Sequence, residues 1–153
     1  MTYIVLQRQV TALANAEIQR HNLVGWRFRF NTNKRRGGVC KYDIRTIEVS
    51  IHMLQFGLKE VVKVIAHELA HAIVGCGHGH DFIWKRKAIE LGDTGNRCHT
   101  FTLVAPSIIG TCSHCGGTFG RHRAPRRGAT YWCNRPSCAH LPTTERLVTW
   151  EHG

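Results

Sequence analysis

The sequence has no apolar run near the roughly 20 residues that a membrane span needs, and its first residues lack the order of a signal peptide. We therefore expect a cytoplasmic protein without a membrane partner, associated with the nucleoid, or nuclear if the host is eukaryotic. Acidic residues are also scarce, since 10 Asp and Glu stand against 21 Lys and Arg, a formal net charge of +11. This excess predicts a polyanionic partner, most simply nucleic acid.

A complete set of paired disulfides is excluded, because the chain has seven cysteines, an odd number. Four of them form two pairs in the last third, and this arrangement predicts a zinc ribbon with four thiolate ligands: Cys112, Cys115, Cys133 and Cys138. The second pair is wider than usual, with Asn134-Arg135-Pro136-Ser137 between its cysteines. Replacement of one thiolate by His114 or His140 therefore stays open.

The pentapeptide His67-Glu68-Leu69-Ala70-His71 lies in a stretch with helical apolar spacing, predicted to span residues 58–74. Positions i and i+4 share one face of a helix, so His67 and His71 can bind the same metal ion. Glu68 is placed to act as a general base on a water at that ion. Glycines then end the helix, and Asp81 is expected to cap the next one.

A catalytic zinc takes three protein ligands and leaves a fourth position for water, whose pKa falls to near neutrality. Spacing leaves the third ligand open among His78, His80 and Glu90. The metzincin pattern does not fit, because it requires Gly and His where this chain has Val74 and Gly77.

The remaining patterns predict an α+β fold. Residues 2–22 have the spacing of an amphipathic helix, and residues 26–30, 39–42 and 46–51 are expected to form a small antiparallel sheet with one buried face. We expect a catalytic domain at residues 1–98. A linker and the zinc-ribbon module follow at residues 99–153, with a possible strand at residues 100–104.

Basic residues gather in one loop of each predicted domain, and two aromatic residues follow the loop of the second domain. Cations can meet phosphates and rings can stack on bases, which favours single-stranded or junction-like DNA as the partner. The predicted contacts are Lys34, Arg35, Arg36, Arg121, Arg123, Arg126, Arg127, Tyr131 and Trp132. The alternative is that the loops are only solvated and that the two aromatics pack the small module.

The run HELAHAIVGCGHGHDF, with a basic strand region before it and a cysteine cluster after it, resembles the SprT-like family of zinc metalloproteases, which includes the Spartan proteases. The resemblance extends to residues 26–30, 38–40 and 47–51. It implies a compact zincin-type (HExxH) domain with His67, His71 and His78 as the zinc ligands and Glu68 as the general base. By analogy, substrate is expected along an edge strand at residues 46–51.

Together these patterns predict a monomeric zinc metalloendopeptidase with one catalytic and one structural Zn²⁺, acting on protein substrates near DNA. The resemblance implies that proteins crosslinked to DNA are among the substrates. The alternative is a non-catalytic nucleic-acid-binding protein whose HELAH metal is structural, which a fourth protein ligand would favour. The donor that stabilises the oxyanion stays open, with His80 and Arg97 as candidates.

Overall fold

The computed structural model describes residues 3–97 and 101–152, and the chain divides into two compact units, Met1–Val104 and Ala105–Gly153. The expected boundary at residues 98 and 99 lies outside the described residues. Residues 101–104 are part of the first unit, where Leu103 is buried and its carbonyl oxygen accepts a hydrogen bond from Gln55 Nε2 at 2.7 Å. Their backbone is not extended into a strand, so the expectation of a strand there is wrong for the described residues.

The helices of the first unit are α1 (Tyr3–Arg20), a 3-10 helix (Ile51–Phe56), α2 (Leu58–Val74) and α3 (Phe82–Glu90). The spacing of apolar residues predicted α2 correctly. It ends at Gly75, whose φ of 89° is a conformation that glycine adopts readily. The cap of α3 is also confirmed, because Asp81 Oδ1 accepts a hydrogen bond from the Trp84 backbone N–H at 2.9 Å.

The sheet of the first unit contains β1 (Arg27–Asn31), β2 (Gly38–Lys41) and β3 (Thr46–Ser50) in the order β1-β3-β2. β2 and β3 form an antiparallel hairpin, and β3 lies beside β1 in parallel. The predicted antiparallel sheet is therefore wrong for the β1–β3 pair. After β1 the chain forms β2 first, one strand position away from β1. The β2–β3 hairpin then places β3 between β1 and β2.

β3 is buried along its whole length, so the expectation of one buried face is wrong for this strand. On one face its apolar residues join the core formed with the helices. On the other, Glu48 accepts hydrogen bonds from Arg29, from Asn31 Nδ2 at 3.1 Å and from Lys41 Nζ at 2.9 Å. Burial acts to raise the pKa of Glu48, but these hydrogen bonds outweigh it and lower the pKa. The carboxylate thus ties the three strands together.

The second unit contains β4 (Ile108–Cys112), β5 (Thr118–Arg121) and β6 (Val148–His152), paired antiparallel in the order β5-β4-β6. Gly110 in β4 lies against Trp150 of β6, where a Cβ atom would come within 2.7 Å of the indole ring. The buried cluster at the end of this sheet consists mainly of cysteines, with Phe119 and Val148 packed against them. A core this small needs further stabilisation, such as a bound metal.

Candidate active site

Helix α2 presents His67 and His71 on one face, one turn apart, and the loop before α3 brings His80 to them. The Nε2 atom of His80 lies 3.2 Å from Nε2 of His67 and 3.2 Å from Nε2 of His71. The ligand atoms of all three residues lie within 4.8 Å of one another. This is the arrangement in which three imidazoles converge on one point.

The donor set fits zinc. Two nitrogens bound to one tetrahedral zinc at 2.0–2.1 Å are about 3.3 Å apart, close to the separations of the His80 nitrogen from its neighbours. Burial, together with the neighbouring His67 and His80, lowers the pKa of His71 to about 4, so its imidazole is neutral and can donate a lone pair. Three nitrogen donors leave one tetrahedral position for water or substrate.

The structure does not bring His78 into this group. Its Nδ1 lies 2.7 Å from Asp81 Oδ2, and its backbone N–H donates to the Gly75 carbonyl oxygen within the turn that follows α2. His80, two residues further along, takes the place assigned to His78. Glu90 is also outside the group, at the end of α3, where its carboxylate pairs with Lys87 Nζ at 2.7 Å.

Glu68 lies beside the histidines and is buried, with 7% of its surface exposed. Burial raises its pKa to about 7, against the opposing effects of His67 and of a hydrogen bond from the Cys40 backbone N–H. β2 approaches α2 so closely here that a Cβ atom on Gly38 would lie 2.6 Å from Glu68 Oε1. A carboxyl group that changes charge near neutral pH at a histidine cluster is suited to proton transfer.

Asp93 and Trp84 complete the surroundings of the histidines, and the sequence patterns did not point to either of them. Asp93 is buried after the end of α3, and its Oδ2 lies 3.0 Å from Nδ1 of His67. Such a carboxylate fixes the tautomer and orientation of a metal-binding imidazole. The fully buried indole of Trp84 stacks on His71 at 5.1 Å between ring centroids and meets His67 and His80 edge-on. No sequence pattern identifies Asp93, because its contact with His67 depends on how α3 packs.

A cleft of about 510 Å³ opens over Glu68 and the histidines. Residues 37–40, which include most of β2, line one side of it, and β2 is an edge strand because β3 separates it from β1. The assignment of the substrate-binding edge to residues 46–51 is therefore wrong, since both edges of β3 are already paired. The edge strand beside Glu68 is β2.

The model of the SprT-like family matches residues 7–103, from α1 to the last residues that line the cleft. This chain belongs to the SprT-like family. The family generally consists of metallopeptidase-like domains, and the histidine cluster and Glu68 lie within the matched residues. No curated protein and no solved structure matches the chain.

The second unit, beyond the SprT-like match, holds a separate cysteine cluster. The sulfur atoms of Cys112 and Cys138 are 4.0 Å apart, as are those of Cys115 and Cys133, and all four lie within 4.8 Å of one another. Thiolates on one tetrahedral zinc at 2.3 Å are about 3.8 Å apart, so this donor set fits zinc too. A turn spans the wide interval between Cys133 and Cys138. His114 and His140 are outside the grouped donors.

The residues predicted to contact nucleic acid have different surroundings in this SprT-like protein. The loop residues are exposed: Lys34, Arg35, Arg36, Arg123, Arg126 and Arg127. The Arg121 guanidinium instead lies over the rings of Tyr131 and Trp150, at 4.8 and 5.2 Å from their centroids. Tyr131 therefore packs within the small unit, whereas Trp132 is 47% exposed.

Proposed function

We propose that this member of the SprT-like family is a zinc metalloendopeptidase that hydrolyses proteins held on DNA, including proteins crosslinked to it. The observation that carries the proposal is the buried carboxyl group of Glu68, placed beside three convergent imidazoles at the base of an open cleft. A metal site with a purely structural role has no use for such a group.

His67, His71 and His80 are the proposed ligands of the catalytic zinc. When bound there, zinc would polarise a peptide carbonyl group and lower the pKa of the attacking water. Asp93 holds His67 in the tautomer that presents Nε2 to the metal. Glu68 accepts the proton of the attacking water and then donates it to the leaving amine. Burial raises the pKa of Glu68, which favours its holding the proton until the transfer to the amine.

The substrate segment is proposed to lie extended in the cleft along the free edge of β2. Main-chain hydrogen bonds to an edge strand hold an extended peptide without requiring a particular side chain. The close contact between Gly38 and Glu68 places this strand next to the proton-transfer group. A scissile bond that lies along β2 would therefore be within reach of Glu68 and of the metal.

The second unit is the proposed DNA-binding part, with Cys112, Cys115, Cys133 and Cys138 bound to a structural zinc. Its exposed Arg123, Arg126 and Arg127 carry charges that can meet phosphates, and the exposed face of Trp132 can stack on an unpaired base. This combination favours single-stranded or junction-like DNA. Holding substrate and enzyme on one DNA would raise their effective concentration, so selectivity need not come from a deep pocket.

The alternative function, binding of nucleic acid without catalysis, would be favoured by a fourth protein ligand that closes the metal site at His67. Among the described residues the convergent donors are His67, His71 and His80, and Glu90 is paired with Lys87 instead. This arrangement supports the enzyme.

The test is cleavage of a DNA-binding protein substrate by the zinc-loaded chain with no DNA, single-stranded DNA or duplex DNA. We expect cleavage that a chelator abolishes, that Glu68→Gln slows at least about 100-fold and that single-stranded DNA stimulates. Glu60→Gln is the matched control, because Glu60 lies on the same helix but pairs with Lys63. Cleavage that survives chelation, or that Glu68→Gln leaves unchanged, would refute the peptidase. Cleavage at the same rate with and without DNA would refute only the proposed role of DNA.

A further inference from the structure

Three arginines, Arg35, Arg36 and Arg97, line the cleft that holds Glu68 and the histidines. Within the described part of the chain, Glu68 is the one acidic residue among those lining the cleft, and it lies at the base. None of the three guanidinium groups forms a salt bridge with a described residue. The cleft therefore carries an excess of positive charge that bound zinc would increase.

The turn before β2 holds the backbone of Arg35 and Arg36 through hydrogen bonds to one side chain. Asn33 Oδ1 accepts hydrogen bonds from the backbone N–H groups of both, at 2.8 and 2.9 Å. Gly38, the first residue of β2, follows two residues after Arg36, and a Cβ atom at this position would lie 2.6 Å from Glu68 Oε1. The two arginines therefore line the cleft just before the start of the proposed substrate-binding edge.

Arg97, which follows α3 in the chain, lines the same cleft as His80 and the other histidines. Positive charge therefore reaches the cleft from two separate segments, the turn before β2 and the residues after α3. Charges that surround a concave site act on whatever occupies it, because the surrounding protein excludes screening solvent.

We propose that Arg35, Arg36 and Arg97 make this a site for acidic peptide segments, selecting substrates with Asp or Glu next to the scissile bond. Guanidinium groups bind carboxylates through paired hydrogen bonds. The three arginines in the cleft form no salt bridge with a described residue, so their guanidinium groups are available for such bonds. A cleft of about 510 Å³ admits an extended peptide, whereas a duplex would rest on the outer surface. The proposal rests on the proposed function for the identity of the cleft as a substrate site.

Binding to zinc-loaded Glu68→Gln protein tests this without requiring turnover. Labelled peptides of equal length carry Glu, Gln or Lys on both sides of one central sequence, and their dissociation constants are measured by fluorescence anisotropy at low and high salt. We expect the Glu peptide to bind about tenfold more tightly than the Gln peptide at low salt, and the Lys peptide most weakly. This preference should shrink as salt is added.

The preference should be lost when Arg35→Gln and Arg36→Gln are combined, and weakened by Arg97→Gln. The matched control combines Arg8→Gln and Lys59→Gln, which remove the same charge from exposed positions outside the residues that line the cleft. A preference that survives the Arg35 and Arg36 changes, or that the control pair also removes, would overturn the proposal.

Two further measurements separate the possible failures. If the double variant loses affinity for a single-stranded oligonucleotide and keeps the peptide preference, the arginines bind phosphate and the proposal is wrong. If the Glu68→Gln protein prefers acidic peptides but wild type cleaves none, the site for acidic peptides is supported and the proposed peptidase activity is wrong. If wild type binds and cleaves Glu and Gln peptides equally, the peptidase stands and the acidic site fails.

Discussion

His67 Nδ1 lies 3.0 Å from Asp93 Oδ2, and both side chains are buried. This contact joins the face of α2 that carries the histidines to the turn after α3. We expect Asp93→Asn to weaken zinc binding about 10- to 100-fold, because the neutral amide lacks the negative charge that orients His67. Competition with a chelator measures this affinity, and Asp43→Asn, at an exposed position, is the control. Unchanged zinc affinity would mean that Asp93 does not position the ligand.

The third metal ligand is tested by comparing His80→Ala with His78→Ala. The geometry predicts that loss of His80 removes a nitrogen donor and weakens zinc binding strongly, whereas loss of His78 removes only a contact with Asp81. Zinc content after dialysis and far-UV circular dichroism distinguish metal loss from unfolding. If His78→Ala loses the metal while His80→Ala retains it, the loop binds zinc as the family resemblance implied.

Gly38→Ala tests the close approach of β2 to the reacting group. The added methyl would lie 2.6 Å from Glu68 Oε1 and 2.7 Å from Val64 Cγ1, so strand and helix must separate. We expect a loss of about 1–3 kcal/mol in the free energy of unfolding and a lower rate of peptide cleavage. Gly77→Ala is the control, because no atom lies within 4 Å of the position of its Cβ. Equal effects of the two changes would argue against the contact.

The cysteine cluster is tested with Cys138→Ser, set against Cys76→Ser. Cys138 is fully buried among the grouped thiols, whereas Cys76 is an exposed free cysteine. We expect Cys138→Ser to lower the zinc content from about two ions per chain to about one and to destabilise the second unit, because zinc binding and folding are coupled there. Wild type that holds a single zinc, with none lost in Cys138→Ser, would rule out the second metal.

The sequence predicted the elements in which neighbouring residues determine the structure. The bounds of α2 followed from its apolar spacing and from Gly75, and the cap of α3 followed from Asp81. These are local effects, and a one-dimensional pattern is sufficient to reveal them. The grouping of the four cysteines was also predicted, because two cysteine pairs at this spacing are typical of a zinc ribbon.

The features that the sequence did not reveal depend on packing between distant segments. Insertion of β3 between β1 and β2 is a pairing choice that alternation of residue types does not encode. His78 and His80 lie in one glycine-rich loop without periodicity, so spacing could not choose between them. The contact of Asp93 with His67 needs the packed positions of α2 and α3.

The most direct test of the account is the rate of peptide-bond cleavage by wild type and by Glu68→Gln at equal, measured zinc content. Glu68 is proposed to transfer the proton of the attacking water, and general acid-base catalysis contributes typically 10²- to 10⁴-fold to a rate. We therefore predict that Glu68→Gln retains the zinc of both sites and cleaves at least about 100-fold more slowly. Equal cleavage rates at equal zinc content would contradict the proposed mechanism.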